Sequence, residues 1–344
     1  MRSIGIGLFA CLVGCAEAAA EGGISFQGKT ITMIVPYASG GGTDLAGRLI
    51  AEYFSKLLPG APSVIVRNMP GADGKRGMNH FVQQVKPDGL TITVGSGTSS
   101  DPLQYRQPHS KYDPTKFLFI GGIGRGGSFL LINKEAEKRL YDKRAAPVAM
   151  GSLGAVPRAA MEGTVWGIEF LGWNVRWILG YPGTSGLGLA LERGEIDMTA
   201  TGDAGQIQRL LETGKIKILA KFGSGGVLRQ DFGDAPFFVS MMEGKITDPT
   251  MLKAFHHYLG MMATDKWVAL PPGAPEPVAD AYREAFAKMS KEPDFLDRGR
   301  KMSEEFVPMT HHEIEKLIAT LGDTPPEAIK FIDNMYKKQG LTRE

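Results

Sequence analysis

Three consecutive glycines, Gly40 to Gly42, stand between an apolar segment and an amphipathic helical segment. The apolar segment, residues 30–35, is rich in β-branched residues and ends at Pro36, which is typical of a buried strand. Apolar residues at helical spacing follow from Leu45 to Leu57, and residues 63–66 are a second strand candidate. This β-α-β opening predicts a parallel sheet with helices on its faces.

The alternation of strand and helix signals continues in two series. Further strand candidates lie at 90–94, 117–123 and 128–132, then at 148–150, 175–179, 196–200 and 216–220, and a last one at 258–264. The chain has 344 residues, enough for two lobes. We predict an α/β fold in which residues 28–133 and 257–344 form lobe 1 and residues 134–256 form lobe 2.

The first twenty residues have the pattern of an export signal. Arg2 is followed by a short apolar run, and Ala18 and Ala20 stand at the spacing of a cleavage site. The run is shorter than the about 20 apolar residues of a membrane-spanning helix. We therefore expect residues 1–20 to be a signal peptide. The alternative is a lipobox, Leu12-Val13-Gly14-Cys15, through which Cys15 would anchor a lipoprotein.

Cysteine content and charge exclude several classes of function. The only cysteines, Cys11 and Cys15, lie in the leader, so its removal would leave no thiol for catalysis, zinc binding or disulfides. A cysteine-free chain suits the oxidising periplasm. Lys and Arg number 39 against 37 Asp and Glu, and this balance gives no reason to expect a nucleic-acid partner.

Known catalytic and nucleotide-binding motifs are incomplete. Leu187 replaces the last glycine of a G-x-S-x-G motif, and Lys316 replaces the second histidine of H-E-x-x-H after His312. Leu45 stands where a dinucleotide fingerprint needs glycine. We predict a protein that is not an enzyme and that needs no cofactor or metal. An α/β enzyme such as a hydrolase is the alternative, because a fold does not fix a function.

The loop between the first strand and helix is the strongest candidate for a binding site. Glycines let backbone N–H groups approach a ligand, and a helix N-terminus favours an anion. The candidate residues are Tyr37, Ala38, Ser39, Gly40, Gly41, Gly42, Thr43 and Asp44. A turn that merely allows tight strand–helix packing is the alternative.

Other polar strand ends offer similar chemistry. In open α/β sheets, ligands bind at the carboxyl ends of the strands. The further candidates are Ser96, Gly97 and Thr98 in the first series, and Ser152, Leu153 and Asp203 in the second. Two facing sets of polar strand ends predict a cleft between two lobes, and a carboxylate fits such a cleft better than a nucleotide.

Several motifs, in this order, resemble the substrate-binding proteins of tripartite tricarboxylate transporters, the Bug family. Residues 34–44 with Arg48 resemble the opening motif of that family, and residues 67–74 resemble its P-G-A-x-G turn. The later motifs are Pro87-Asp88-Gly89-Leu90-Thr91, Tyr112-Asp113-Pro114, Gly194-Glu195-Ile196-Asp197-Met198 and Pro272-Gly273-Ala274-Pro275. The resemblance covers nearly the whole chain after the leader.

This resemblance implies a two-lobed periplasmic binding fold of type II-like form, with a hinge and a central cleft, as in a Venus flytrap. It implies that the loop 37–44 holds the carboxylate of a small ligand, a di- or tricarboxylate or an aromatic acid. Ser152 and its neighbours would face that loop, and Asp203 would either contact the ligand or cap a helix. The expected partners are the membrane subunits of a tripartite tricarboxylate-type transporter, and the protein is expected to be a monomer. A ligand-sensing module for a membrane receptor is the alternative function.

Two departures from the family pattern bear on the ligand. The second-lobe loop is apolar, with Leu153, Ala155, Val156 and Pro157 where serine and glycine are usual. Lys75 and Arg76 replace small or polar residues after the P-G-A-x-G turn. An apolar wall favours an aromatic or alkyl carboxylate over citrate.

Overall fold

The computed structural model describes residues 24–125, 127–153, 156–157, 159–181, 183–223, 232–302 and 306–341. The predicted signal peptide and the lipobox cysteine lie outside these residues. The strands are β1 (Thr30–Val35), β2 (Ser63–Asn68), β3 (Thr91–Ser96), β4 (Leu118–Arg125), β5 (Ser128–Asn133), β6 (Val148–Gly151), β7 (Val175–Ile178), β8 (Met198–Thr201), β9 (Ile216–Phe222), β10 (Thr264–Leu270) and β11 (Phe306–Thr310).

Helices connect most of these strands. They are α1 (Gly42–Leu57), α2 (Lys75–Gln84), α3 (Gly97–Ser100), α4 (Pro102–Tyr105), α5 (Lys134–Leu140), α6 (Gly163–Phe170), α7 (Thr184–Arg193), α8 (Ala204–Glu212), α9 (Phe238–Met242), α10 (Pro249–Ala263), α11 (Glu276–Met289), α12 (Pro293–Met302), α13 (His311–Gly322) and α14 (Pro326–Lys338). None of the helices in the described ranges has the length and hydrophobicity that a bilayer span needs.

The strands form two mixed sheets. The first has the order β11-β4-β10-β3-β1-β2 and the second has the order β7-β6-β8-β5-β9. β1 is parallel to β2, with Thr30 opposite Ser63, and is also parallel to β3. We call each sheet with its flanking helices the first and the second lobe. The predicted α/β fold and its β-α-β opening are confirmed.

The sheets divide the chain differently from the predicted boundaries. Residues 128–133 were assigned to lobe 1, but β5 lies inside the second sheet, where it is antiparallel to both β8 and β9. The chain therefore crosses between the sheets directly after β4. Both β4 and β5 are buried apolar strands, and their sequences carry no signal for the sheet to which each belongs.

The strand predicted at residues 258–264 is wrong for all but its last residue, because α10 runs to Ala263 and β10 begins at Thr264. Asp248 caps α10 by accepting hydrogen bonds from the N–H groups of Thr250 and Met251, and Pro249 occupies its first turn. A short apolar run such as 258–262 fits a buried helix as well as a strand. The cap and the proline were the signals for the helix.

The C-terminal region also departs from the predicted division. Helix α14 buries Ala328, Ile332 and Tyr336 in the same core as Trp166 and Trp173 of the second lobe. Residues 326–338 therefore pack on the second lobe, although the prediction placed them in lobe 1. This helix and strand β11 were not predicted at all. Trp166 and Trp173 are fully buried in this core.

Candidate functional site

A cleft of about 880 Å³ lies between the two sheets. The first lobe contributes Tyr37, Thr43, Asp73, Ser96, Gly97, Thr98, Asp101, Gln104, Thr264, Asp265 and Lys266, and the second contributes Ser128, Ser152, Leu153, Val156, Pro157, Ala159, Ala160, Met161, Glu162, Thr184, Ala200, Thr201 and Gly202. Met261 and Met262 of α10 complete this lining. A small organic acid fits within such a volume.

The structure brings half of the predicted site residues together around this cleft. Seven of them line it: Tyr37, Thr43, Ser96, Gly97, Thr98, Ser152 and Leu153. Ala38, Ser39 and Gly40 to Gly42 belong to the same β1–α1 loop but are not among the lining residues, and neither Asp44 nor Asp203 is. The polar strand ends thus predicted the location of the cleft. Asp44 and Asp203 do not line the cleft and have other roles.

The hydroxyl of Tyr37 joins two strand ends at the floor of the cleft. It shares hydrogen bonds of 2.7 Å with Ser96 Oγ and 3.0 Å with Ser99 Oγ. Gly97 follows Ser96, and a Cβ at Gly97 would lie 2.8 Å from the carbonyl oxygen of Thr264. Only glycine allows this close approach of α3 to β10. The polar rim of the first lobe is therefore held by side-chain bonds and by backbone packing.

Asp44 organises the loop from inside. Its carboxylate, which is 1% exposed, accepts hydrogen bonds from the N–H of Gly40 (2.8 Å), from Arg48 Nε (2.9 Å) and from Asn68 Nδ2 (2.8 Å). Asn68 Nδ2 also donates to the carbonyl of Tyr37. Burial by itself would raise the pKa of Asp44, but the bonds from Arg48, Gly40 and Asn68 outweigh it and lower this pKa to about 2. The carboxylate therefore stays charged and fixes the loop.

Two helices from opposite lobes begin at the cleft without a side-chain cap. The N-cap residue of α1 is Gly41 and that of α7 is Gly183, and neither can supply a capping side chain. Thr43 and Thr184, in the first turns of these helices, both line the cleft. Uncapped first turns leave backbone N–H donors and a partial positive charge. These helix ends favour an anion from both sides of the cleft.

Ser152 supplies a hydroxyl without a protein partner. It is 1% exposed, and its Oγ has no hydrogen bond within the described structure. Its backbone is satisfied, because its N–H donates to Ile178 O and its carbonyl accepts from the N–H of Tyr181. A buried hydroxyl without a partner costs stability. Since Ser152 lines the cleft, a bound ligand can satisfy this hydroxyl.

Asp203 caps a helix. Its Oδ1 accepts a hydrogen bond of 2.7 Å from the N–H of Gln206 in the first turn of α8, and its own N–H donates to Thr201 Oγ1. The side chain is exposed and is not among those that line the cleft. Of the two roles considered for Asp203, the geometry shows the helix cap. Thr201 and Gly202, just before it, are the residues that reach the cleft.

One wall of the cleft is apolar. Leu153, Val156 and Pro157 lie on the second lobe, and Met261 and Met262 lie on α10. Leu153 is 40% exposed, which is high for a leucine and leaves it open to contact with a ligand. Ala155, predicted for the same wall, lies outside the described residues. The methionines were missed because their segment was predicted as a strand, and no local motif marks them.

Three charged side chains on the rim, Asp101, Asp265 and Lys266, have partners within the protein. Lys266 Nζ pairs with Asp265 Oδ1 at 2.5 Å. Asp101 Oδ1 accepts from the N–H of Leu103 and lies 3.5 Å from Nε2 of the buried His257. Arg67 and Arg176 are exposed and do not line the cleft.

No protein-family model matches the chain. Among curated proteins, the UPF0065 protein in the gbd 5′ region of Cupriavidus necator is 27% identical over 325 residues, which cover 86% of this chain and 89% of that protein. A UPF0065 protein of Bordetella pertussis is 28% identical over 301 residues, which cover 85% of each chain. These UPF0065 proteins are the Bug family. The chain is similar to these proteins over most of its length.

Several solved structures have a fold similar to that of this chain. A TctC solute-binding protein from Polaromonas, without ligand, has a TM-score of 0.67 at 20% identity and covers 91% of this chain and 100% of its own. Rhodopseudomonas palustris MatC with bound malate has a TM-score of 0.52 at 19% identity, covering 89% and 98%. A second R. palustris protein, with adipate, has a TM-score of 0.55 at 20% identity, covering 91% and 98%. The two-lobed fold implied by the Bug-family motifs is confirmed.

Proposed function

We propose that this protein is a periplasmic solute-binding protein that captures a small carboxylate between its two lobes. The observation that carries the proposal is the pair of uncapped helix N-termini, α1 and α7, at opposite sides of one cleft. Residues 1–20 would direct export. The membrane subunits of a tripartite tricarboxylate-type transporter would receive the ligand. This role needs binding and release, and no bond-making chemistry.

The carboxylate has donors on both sides of the cleft. Backbone N–H groups at the start of α1 would hold it on the first lobe, with the loop kept in shape by Asp44. The hydroxyl of Ser152 and the first turn of α7 would reach it from the second lobe. Such charge-assisted hydrogen bonds are about twice as strong as neutral ones. Two R. palustris neighbours with this fold hold malate and adipate, which supports a carboxylate ligand.

The apolar wall narrows the ligand class within this proposal. Leu153, Val156 and the two methionines of α10 can cover an alkyl or aromatic body, but they offer no hydrogen bonds to hydroxyls or to further carboxylates. Burial of apolar ligand surface contributes about 25 cal/mol per Å². We therefore propose that alkyl and aromatic carboxylates bind more tightly than citrate.

Titration calorimetry against a matched panel of acids tests the function. Benzoate, adipate, malate and citrate, each added to the purified protein at neutral pH, should separate into binders and non-binders, with the more apolar acids binding more tightly. The melting temperature should rise with the same ligands, because binding to the native state alone stabilises it. If no acid in the panel gives heat or a thermal shift, the proposed function is wrong.

Replacement of Ser152 tests the site. Ser152→Ala should weaken the best ligand of the panel about five- to tenfold, the effect of one lost hydrogen bond. The ligand-free melting temperature should not fall, because Ser152 Oγ has no partner in the protein. Ser290→Ala is the matched control, since the Ser290 hydroxyl donates to Phe286 O at the end of α11. Unchanged affinity in Ser152→Ala would remove Ser152 from the binding site.

A further inference from the structure

Two histidines and a glutamate form a compact cluster at the start of α13. The potential ligand atoms of His311, His312 and Glu315 all lie within 4.8 Å of one another. We propose that this cluster binds a divalent transition metal of the Zn²⁺ class. Two imidazole nitrogens and one carboxylate oxygen are a ligand set that such ions prefer, and water can complete the tetrahedron. None of the three residues is among those that line the cleft.

The local fold places these side chains together. Thr310 and Glu313 form a capping box that fixes the first turn of α13, so His311 is its first residue. A spacing of four residues puts His311 and Glu315 on one helix face. His312 Nδ1 lies 3.4 Å from Glu315 Oε2, and the two imidazole rings are 3.9 Å apart at their centroids. The capping box therefore fixes the helical turn that carries the three proposed ligands.

Carboxylates engage the guanidinium beside the cluster. Arg283 pairs with Glu276, with Asp280 at 3.0 Å and with Glu315 at 3.6 Å. These ion pairs offset the positive charge of Arg283 next to the proposed metal position. The side chain of His312 is 79% exposed, so it can rotate to shorten the distances to those of metal bonds.

Calorimetry with Zn²⁺ alone, on the whole protein in a buffer without chelators, tests the site. We expect one Zn²⁺ per chain with micromolar affinity. His311→Ala and Glu315→Gln should each weaken it about tenfold or more, because each removes one of three ligands. His109→Ala is the control, since His109 is exposed and outside the cluster. Binding that needs millimolar Zn²⁺, or that all variants retain, would overturn the proposal.

Two further measurements make the result specific. Co²⁺ should give the intense visible absorption of a four-coordinate site in the parent protein and lose it in His311→Ala, while circular dichroism confirms that the variant is folded. The carboxylate affinity should be the same with and without Zn²⁺, because the cluster does not line the cleft. A Co²⁺ spectrum that is purely octahedral in the parent would contradict the proposed ligand set.

Discussion

At the scale of single residues, Asp44 is a buried charged side chain that holds the loop between β1 and α1 beside the cleft. Its carboxylate is saturated by Gly40, Arg48 and Asn68, so it has little capacity to bind anything else. The sequence placed Asp44 among the candidate ligand contacts because it follows the three glycines at the start of the first helix. In the structure its carboxylate instead binds the loop to Arg48 and Asn68.

Asp44→Asn should lower the free energy of unfolding by about 1–2 kcal/mol at neutral pH. The pKa of Asp44 is about 2 in the folded protein and 3.8 when unperturbed, so its charge stabilises the fold above this range and not below it. The difference between parent and variant should therefore shrink as the pH falls from 3.8 to 2. Urea unfolding of the parent and the variant, repeated at stepwise lower pH, measures this difference in unfolding free energy.

The control for this experiment is Glu284→Gln, a neutralised carboxylate on the exposed face of α11. It should leave the unfolding free energy nearly unchanged at every pH. A difference between Asp44→Asn and the parent that stays constant down to the lowest pH would contradict the ionic role of Asp44. The loop would then be held by packing and by neutral hydrogen bonds.

At the scale of elements, the helices around the cleft differ in how they begin. α1 and α7 follow glycines that cannot cap them, whereas the Asp203 side chain caps α8. Thr43 and Thr184, in the first turns of these two uncapped helices, line the cleft. Glycine at the N-cap in place of Ser, Thr, Asn or Asp costs only a few tenths of a kcal/mol per helix. This cost is consistent with keeping the N–H groups available for a ligand.

Substitutions at Asp203 can distinguish a role as a helix cap from a role in contacting the ligand. Asn caps helices as well as Asp does, so Asp203→Asn should keep both the melting temperature and the carboxylate affinity. Asp203→Ala should lose about 1 kcal/mol of stability and, at a temperature where the protein stays folded, should still bind the acid. Thermal melts of both variants measure their stability, and calorimetry measures their affinity for the acid. A changed affinity in Asp203→Asn would show that its charge faces the ligand.

At the scale of the whole molecule, helix α10 and the segment between α13 and α14 meet beside the cleft. Helix α10 packs Phe255 and Tyr258 in the core of the second lobe and continues directly into β10 of the first sheet. His257 of this helix lies 3.5 Å from Asp101 on the cleft rim and 3.2 Å from Thr324, between α13 and α14. These contacts link the rim to the segments that connect the lobes.

We expect the lobes to close on the ligand by a hinge motion. Small-angle scattering of the protein with a saturating acid from the calorimetric panel should give a smaller radius of gyration than without it. Ser152→Ala at the same ligand concentration, which leaves it partly unliganded, should show a smaller decrease. Identical profiles with and without a ligand that calorimetry shows to bind would contradict closure.

The local parts of this architecture were predictable from the sequence. In residues 30–68, apolar periodicity and a glycine turn predict the β-α-β order. Both signals depend on residues that are close together in the chain. The polar strand ends at Ser96 and Ser152 could be placed at a cleft because parallel strands end at the same sheet edge. The start of α13 at His311 follows likewise from its capping residues.

Tertiary structure alone decided the rest. β5 joins the second sheet, α14 packs on the second lobe, and Met261 and Met262 reach the cleft through contacts between residues distant in the chain. Periodicity reports which face of an element is buried, but it does not report what buries it. For the same reason, the sequence marks Asp44 and Asp203 as polar residues in a loop, while only the packed structure decides whether their carboxylates meet a ligand or the protein's own N–H groups.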